Sequence, residues 1–427
     1  MKQIKDIYRY FPCPGSDALV VYFSAASDTR LDGIRLLRKF KVNKLFVRDP
    51  GRTWYNGQIP RLSTDADHLA VVLDEVVSKF DRDKVTFMGS SMGGYGALLF
   101  GSLLQVGRIR VAGPQVVLDP KVPRSPKIPV KYADLTDVIR QSTSDIKIWF
   151  GCGDLLDAYQ VMRCSLLPGC TVYAVPKALH NVLAHFKSEG VLSGFFDFAI
   201  LDVPFEYDYG VLTDLQLAKI QSAMDSLYFD ADVAKSTKIL RQVKGGLVDS
   251  ALNCQIGENL LKLSQVKSAI EHLLRAVEVN AGNYEALALL GSTYVAEGDY
   301  ANAVTFYERA ITSFPGKNVD YVTQLAGAYR LNRDFSRALS TLGQAYEIAE
   351  YPKTHYYAGL TYRDMERFQD AIRSFQAVLA LRPDFSPAMA QIRHCLAQYV
   401  VNEAKERFGL NVRAEIDICD ASPERFQ

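Results

Sequence analysis

The segment KVTFMGSSMGGYGALLFG, residues 84–101, changes character at its centre. Its first five residues, Lys84–Met88, are apolar and β-prone and read as a buried strand. From Met92 onward the residues are small and apolar and read as a helix packed closely on a sheet. Between them lies Gly89-Ser90-Ser91-Met92-Gly93, a G-x-S-x-G pattern centred on Ser91. A strand that turns at once into a helix makes a sharp bend, and the residues flanking its apex must be small; Gly89 and Gly93 supply that room. Ser91 then projects its hydroxyl beyond the strand end, at a helix N-terminus whose free N–H groups favour negative charge.

The flanking sequence extends the same alternation. Ala18–Phe23, Lys44–Val47, Arg108–Ala112, Ile146–Phe150 and Cys170–Ala174 read as further strands. Leu31–Phe40, Asp65–Phe80, Met92–Leu104 and Leu183–Ile200 read as helices. Strands separated by helices predict a mostly parallel sheet covered on both faces. From about Leu212 the strand signals stop and only helical periodicity remains.

Partners for Ser91 follow in order along the chain. A serine alcohol needs a base to take its proton, and the base needs an acid to hold its tautomer. After the strand at 146–150 comes Gly151-Cys152-Gly153-Asp154-Leu155-Leu156-Asp157. After the strand at 170–174 comes Val175-Pro176-Lys177-Ala178-Leu179-His180. His180 occupies the loop where a general base belongs. Asp154 is the first choice for the acid, Asp157 the second and Asp119 the third; Asp154 also stands where a helix N-cap would. Residues 15–202 thus resemble the α/β-hydrolase family through Ser91, Asp154 and His180. The resemblance implies a serine hydrolase acting on a carboxylic ester or related acyl bond, with an acyl-enzyme passed to water or, in an acyltransferase, to another acceptor. It also implies an oxyanion hole made by the Met92 N–H and an N–H of the loop after the first strand, Ser24 or Ala25. The His-Gly or HGGG sequence common at that loop in esterases is absent here. The loop Arg48-Asp49-Pro50-Gly51-Arg52-Thr53-Trp54-Tyr55 opens on the same sheet edge, so Arg48, Arg52, Trp54 and Tyr55 are candidate substrate-binding residues. The proline-bearing stretch 119–143 stands where a lid is often inserted. No large cap domain is expected, which fits a bulky or polymeric substrate.

The second half carries an internal repeat. Gly257, Gly291, Ala326 and Gly359 are each followed three residues later by Leu260, Tyr294, Tyr329 and Tyr362. Ala269, Ala303, Ala338 and Ala371 recur at spacings of 34, 35 and 33 residues, and Ala276, Ala310, Ala345 and Val378 lie seven beyond them. In NYEALALLGSTYVAEGDYANAVTFYERAITSFP, Leu287, Leu290, Gly291, Tyr294, Ala303, Tyr307, Ala310 and Pro315 resemble the tetratricopeptide (TPR) pattern. The resemblance implies an α-solenoid that binds a protein partner or self-associates. The expected organisation is α/β plus all-α: a sheet domain at 1–205, a helical bridge at 206–249, repeats with a capping helix at 250–410 and a polar tail at 411–427. A non-catalytic interaction protein with a retired hydrolase domain is the alternative.

Bulk composition bounds the rest. Hydrophobic residues make up 48% and charged residues 23%, and 49 Lys+Arg face 48 Asp+Glu. That balance predicts no nucleic-acid partner. No apolar run is long enough for a membrane span, and no secretory signal is evident, so a cytoplasmic protein is expected. The seven scattered cysteines predict reduced thiols. No metal or organic cofactor is expected, since no ligand cluster or phosphate-cradling loop stands out.

Overall fold

The computed structural model describes residues 7–26, 28, 31, 33–244 and 246–408; the expected tail at 411–427 lies outside them. In chain order the elements are β1 (Tyr8–Phe11), β2 (Leu19–Phe23), α1 (Ile34–Leu37), β3 (Asn43–Val47), α2 (Ala66–Val77), β4 (Val85–Ser90), α3 (Met92–Leu103), β5 (Arg108–Ala112), α4 (Thr136–Arg140), β6 (Asp145–Gly151), α5 (Leu155–Val161), β7 (Cys170–Val175), α6 (Val182–Ser188) and α7 (Leu192–Leu201). After these, among the described residues, come only α-helices and one short 3₁₀ turn: α8 (Asp214–Tyr228), α9 (Val233–Leu240), α10 (Asp249–Lys262), α11 (Val266–Val279), α12 (Tyr284–Ala296), α13 (Tyr300–Ser313), α14 (Val319–Leu331), α15 (Phe335–Ile348), α16 (Pro352–Asp364), α17 (Phe368–Leu381) and α18 (Ser386–Phe408).

The strands form one sheet in the order β1-β3-β2-β4-β5-β6-β7. Every pairing is parallel except β1 with β3. The order runs one way from β2 to β3 and the other way from β4 to β7, so it reverses between β2 and β4. Such a switch point leaves a crevice beyond the carboxyl ends of the strands. One sheet face packs Val21, Phe23, Phe87, Val111, Ile148 and Phe150 against helices including α2 and α3; the other packs Val20, Tyr22, Phe46, Met88 and Trp149 against α6 and α7. The alternation of faces along each strand follows from the two-residue period.

Three departures from the sequence reading have a plain local cause, besides the short helix α4 inside the 119–143 stretch. β1 was not expected: two of its four residues are exposed, so it lacks a hydrophobic signature. The helix expected over 31–40 is one turn, Ile34–Leu37. The helix expected over 183–200 is two, because Gly190 at φ +75° breaks it.

The chain separates into two compact units, Met1–Ala281 and Gly282–Gln427. The first includes α8–α11, so the helical bridge and the first repeat pair group with the sheet. Ile220, Met224, Leu240, Leu252, Ile256 and Leu260 join the sheet's own core. The Tyr159 hydroxyl of α5 donates to Asp225 of α8 at 2.9 Å, and Asn280 Nδ2 donates to the Lys177 carbonyl at 2.9 Å.

Within each repeat pair a small residue on the first helix meets a large one on the second. A Cβ placed on Gly257 would lie 2.7 Å from Leu273, one on Gly291 2.9 Å from Tyr307, and one on Gly359 2.5 Å from Phe375. The repeating Ala269, Ala303, Ala338 and Ala371 are fully buried, as are Ala276, Ala310, Ala345 and Val378. Side chains 16 residues apart thus set the spacing of each pair. Among the described residues no helix is long and apolar enough to cross a membrane.

Candidate active site

Ser91 sits between β4 and α3, on the sheet's switch-point edge. Its backbone is at φ 52°, ψ −125°, a region that costs a non-glycine residue on the order of 1–3 kcal/mol. Close backbone approach holds it there. A Cβ on Gly89 would fall 2.3 Å from the Gly93 carbonyl oxygen, and one on Gly93 would fall 2.1 Å from that of Phe23. The Ser91 N–H donates to the Ala112 carbonyl at 3.0 Å. Its hydroxyl does not cap α3; it is turned toward His180 instead.

Ser91 Oγ lies 2.8 Å from His180 Nε2, and His180 Nδ1 lies 2.6 Å from Asp157 Oδ1. An ionised carboxylate only accepts, so Nδ1 carries the proton and Nε2 is left to accept from the serine hydroxyl. The three groups come from the ends of β4, β6 and β7, and form a continuous path along which a proton can leave Ser91.

The carboxyl that meets His180 is that of Asp157, where the sequence reading preferred Asp154. Both oxygens of Asp154 are committed elsewhere. Oδ1 caps α5, accepting from the N–H groups of Leu156 and Asp157 at 2.9 and 3.3 Å, and Oδ2 pairs with Arg124 Nη1 at 2.5 Å. Capping, the competing role for an Asp at that position, wins. Asp157, one turn along α5, faces the imidazole. Asp119 is in a surface turn, accepting from the Lys121 N–H at 2.8 Å.

Electrostatics separate the two buried carboxyls. Burial raises both. At Asp154 the Arg124 guanidinium and the imidazole outweigh it and hold the carboxyl below its ordinary value. At Asp157 burial and the neighbouring Asp154 charge prevail over the imidazole and Arg124, and the carboxyl is raised. Asp157 Oδ2 is buried without a hydrogen-bond partner. Gly113, at φ +53°, passes beside the pair; a Cβ there would lie 2.8 Å from the His180 carbonyl oxygen and 3.2 Å from Asp157 Oδ2. Asp154, Asp157 and His180 place ligand-type atoms within 4.8 Å of one another. Arg124 reaches both carboxylates, at 2.5 and 3.4 Å, and supplies the positive charge that a cation would bring. Cys152 adjoins the site, and burial pushes its thiol up to about 12, which keeps it protonated.

The oxyanion candidates divide. The N–H groups of the first turn of α3, Met92 among them, have no acceptor within the helix. Neither candidate in the loop after β2 is free: the Ser24 N–H donates to the Val47 carbonyl at 2.9 Å, and the Ala25 N–H to Asp28 Oδ2 at 2.7 Å.

The 48–55 loop is held from within. Asp49 accepts from the N–H groups of Gly51, Thr53 and Tyr55. Arg52, Trp54 and Tyr55 all have φ near +55°. Tyr55, expected to face substrate, is fully buried; its hydroxyl donates to the Ser24 carbonyl at 2.8 Å and its ring packs on Phe23. Its hydroxyl and ring are both committed to the scaffold, which corrects the expectation of a substrate contact. Arg48 Nε donates to the Asp28 carbonyl at 3.0 Å, and Arg52 is exposed. Trp54 does reach the site: its Nε1–H donates to Gln115 Oε1 at 3.1 Å, and Gln115 Nε2 donates to Ser91 Oγ at 3.4 Å. Gln115 was not among the candidates. It follows β5 in the segment Gly113-Pro114-Gln115, and only a Gly-Pro turn at a strand's carboxyl end marked the place.

Comparison with known proteins bears on the repeats. A family model described as tetratricopeptide repeat matches residues 254–318, and one described as anaphase-promoting complex, cyclosome, subunit 3 matches 296–378. Serine/threonine-protein phosphatase 5 of Mus musculus is 28% identical over 124 residues, 29% of this chain and 24% of that protein; the chain thus spans about a quarter of that relative's length. Among solved structures, MamA 41-end from Desulfovibrio magneticus RS-1 is 15% identical, with 41% of this chain and 99% of that one covered and a TM-score of 0.38. A tetratricopeptide repeat protein from Parabacteroides merdae is 12% identical, with 45% and 77% covered and a TM-score of 0.41. The C-terminal region of the chain carries TPR repeats, and the assignment rests on the two family models together with the 33–35-residue period.

Proposed function

We propose that the sheet-bearing unit is a serine hydrolase of the α/β-hydrolase type that cleaves a carboxylic ester or related acyl bond. The observation that carries this is the hydrogen-bonded path Ser91–His180–Asp157 at 2.8 and 2.6 Å, set on a strained strand-to-helix turn at the switch point of a mostly parallel sheet. Ser91 Oγ attacks the carbonyl carbon as its proton passes to His180 Nε2. The tetrahedral intermediate collapses, the carbon–oxygen bond to the leaving group breaks, and Nε2 returns the proton to the departing alcohol. Water, deprotonated by the same nitrogen, then attacks the acyl-enzyme and releases the acid and free Ser91. Asp157 holds the Nδ1–H tautomer and stabilises the imidazolium. An alcohol or amine in place of water would make the same site an acyltransferase, and product analysis with added acceptors separates the two. The repeats would bring a protein partner, or a bulky acyl substrate, to the enzyme.

Treatment of the protein with a fluorophosphonate probe and peptide mapping by mass spectrometry tests the reading. The expected result is an adduct on Ser91 that His180→Ala nearly abolishes. A second reading, an interaction protein whose helical array is the working part, is favoured by the family matches, which all fall within 254–378. Folded protein with no adduct at Ser91 would select it.

A further inference from the structure

We propose that the Gln115 side-chain amide is the second oxyanion donor, standing in for the backbone N–H that the loop after β2 has committed elsewhere. This rests on the serine-hydrolase reading. A tetrahedral intermediate needs donors already aimed at its oxygen, and the helix start provides Met92 N–H. The usual second donor would come from Ser24 or Ala25, but both N–H groups are occupied, at 2.9 and 2.7 Å. Gln115 Nε2 donates to Ser91 Oγ at 3.4 Å, on the same oxygen whose proton His180 Nε2 accepts.

The orientation of that amide is fixed by chemistry. Indole Nε1–H donates only, so the Gln115 atom facing Trp54 must be the carbonyl oxygen, and the atom facing Ser91 must be the NH₂. Gln115 is 3% exposed, so water does not compete strongly for either end. The following backbone is clamped: Gln160 Oε1 accepts from the N–H groups of Val116 and Val117, both at 2.9 Å, and the Gly113 N–H donates to the Trp149 carbonyl at 2.7 Å. In the resting site the amide donates to Ser91 Oγ. When Oγ bonds to the substrate carbon it becomes a poorer acceptor, and the charge appears on the adjacent oxygen. The same N–H then needs only a small shift to follow it. Trp54, by locking the amide, is a positioning residue.

The test uses the full chain with p-nitrophenyl acetate and its thionoester, in which sulfur replaces the carbonyl oxygen. Sulfur accepts hydrogen bonds poorly, so a donor to the oxyanion favours the oxoester selectively. Gln115→Ala and the isosteric Gln115→Glu are expected to lower oxoester kcat by about 10²–10³, with KM changed far less, and to reduce the oxo-to-thiono rate ratio. Trp54→Phe should give a smaller loss of the same kind. Equal loss on both esters, or unchanged kcat, would overturn the proposal while leaving Ser91 labelling intact. So would a collapse of the ratio in Ser24→Ala but not in the Gln115 variants, since the Ser24 hydroxyl is also buried beside this loop without a partner. A wild-type chain that neither labels at Ser91 nor hydrolyses the oxoester removes the underlying reading instead, and the proposal with it.

Discussion

The two regions of the molecule use glycine for opposite purposes. At the sheet edge, Gly89 and Gly93 let backbone meet backbone: an added Cβ would fall 2.1–2.3 Å from carbonyl oxygens of Gly93 and Phe23. Neither neighbour is the end of a movable side chain. In the repeats, Gly291 and Gly359 face the rings of Tyr307 and Phe375 at 2.5–2.9 Å, and rings can turn. The first arrangement fixes one serine in a strained conformation; the second sets a spacing that recurs. A site demands unique geometry, and an array demands only a repeatable fit.

The largest expected effect separates the two aspartates. Asp157→Asn should lower kcat toward p-nitrophenyl acetate by about 10⁴, because the amide can hold the wrong imidazole tautomer. Asp154→Asn keeps a capping oxygen but loses the charge facing Arg124, so it should cost about 1–3 kcal/mol of stability in urea unfolding while keeping most of kcat. The reverse pattern would return the acid's role to Asp154.

Glycine substitutions sharpen the contrast next. Gly93→Ala should destabilise by about 3 kcal/mol or more and abolish fluorophosphonate labelling, since Phe23 cannot yield without moving β2. Gly291→Ala should cost about 1–3 kcal/mol and leave the labelling rate of Ser91 unchanged. Equal labelling in both variants would show that the turn tolerates a side chain.

A smaller effect concerns pH. The Arg124 guanidinium favours the ionised form of both Asp154 and Asp157. Arg124→Gln removes that cation, both carboxyls rise, and the acidic limb of the kcat/KM profile should move to higher pH. Stability carries the same sign at Asp154: its carboxyl is held low in the fold, so its contribution is present above about pH 4 and lost as pH falls through the folded value. Arg124→Gln should therefore flatten the acid side of the unfolding curve. An unmoved limb would assign Arg124 to packing of the 119–134 segment alone. The smallest effect is a gain. Gly343 lies inside α15 with nothing within 4 Å of an added Cβ, so Gly343→Ala should stabilise by about 0.5–1 kcal/mol, read as a raised Tm.

The same contrast explains what could be read from the sequence. The repeats were legible because one rule recurs four times: Ala 12 positions after each Gly or Ala, and Ala or, in the last repeat, Val 19 positions after it, all fully buried. The sheet was legible where strands are apolar, and β1 was missed because two of its four residues are exposed and none is fully buried. At the site, Ser91 and His180 were legible from local context, one at a strand-to-helix turn and one after the last strand. The choice between Asp154 and Asp157 was not, because it turns on Arg124, thirty residues upstream. Nor was Gln115, whose position depends on Trp54, 61 residues away, and on Gln160. Tyr55 was misread because an aromatic in a loop after a strand can as well fold inward, and here it packs on Phe23.

The central claim is that Ser91 forms a covalent acyl intermediate with His180 as its base. Rapid mixing with p-nitrophenyl acetate, followed by acid quench and peptide mapping, tests it directly. The account predicts a stoichiometric burst of p-nitrophenolate with an acetyl group on Ser91, absent in His180→Ala. Release without a burst and without acetyl on Ser91, or acetyl carried by another residue, would contradict it.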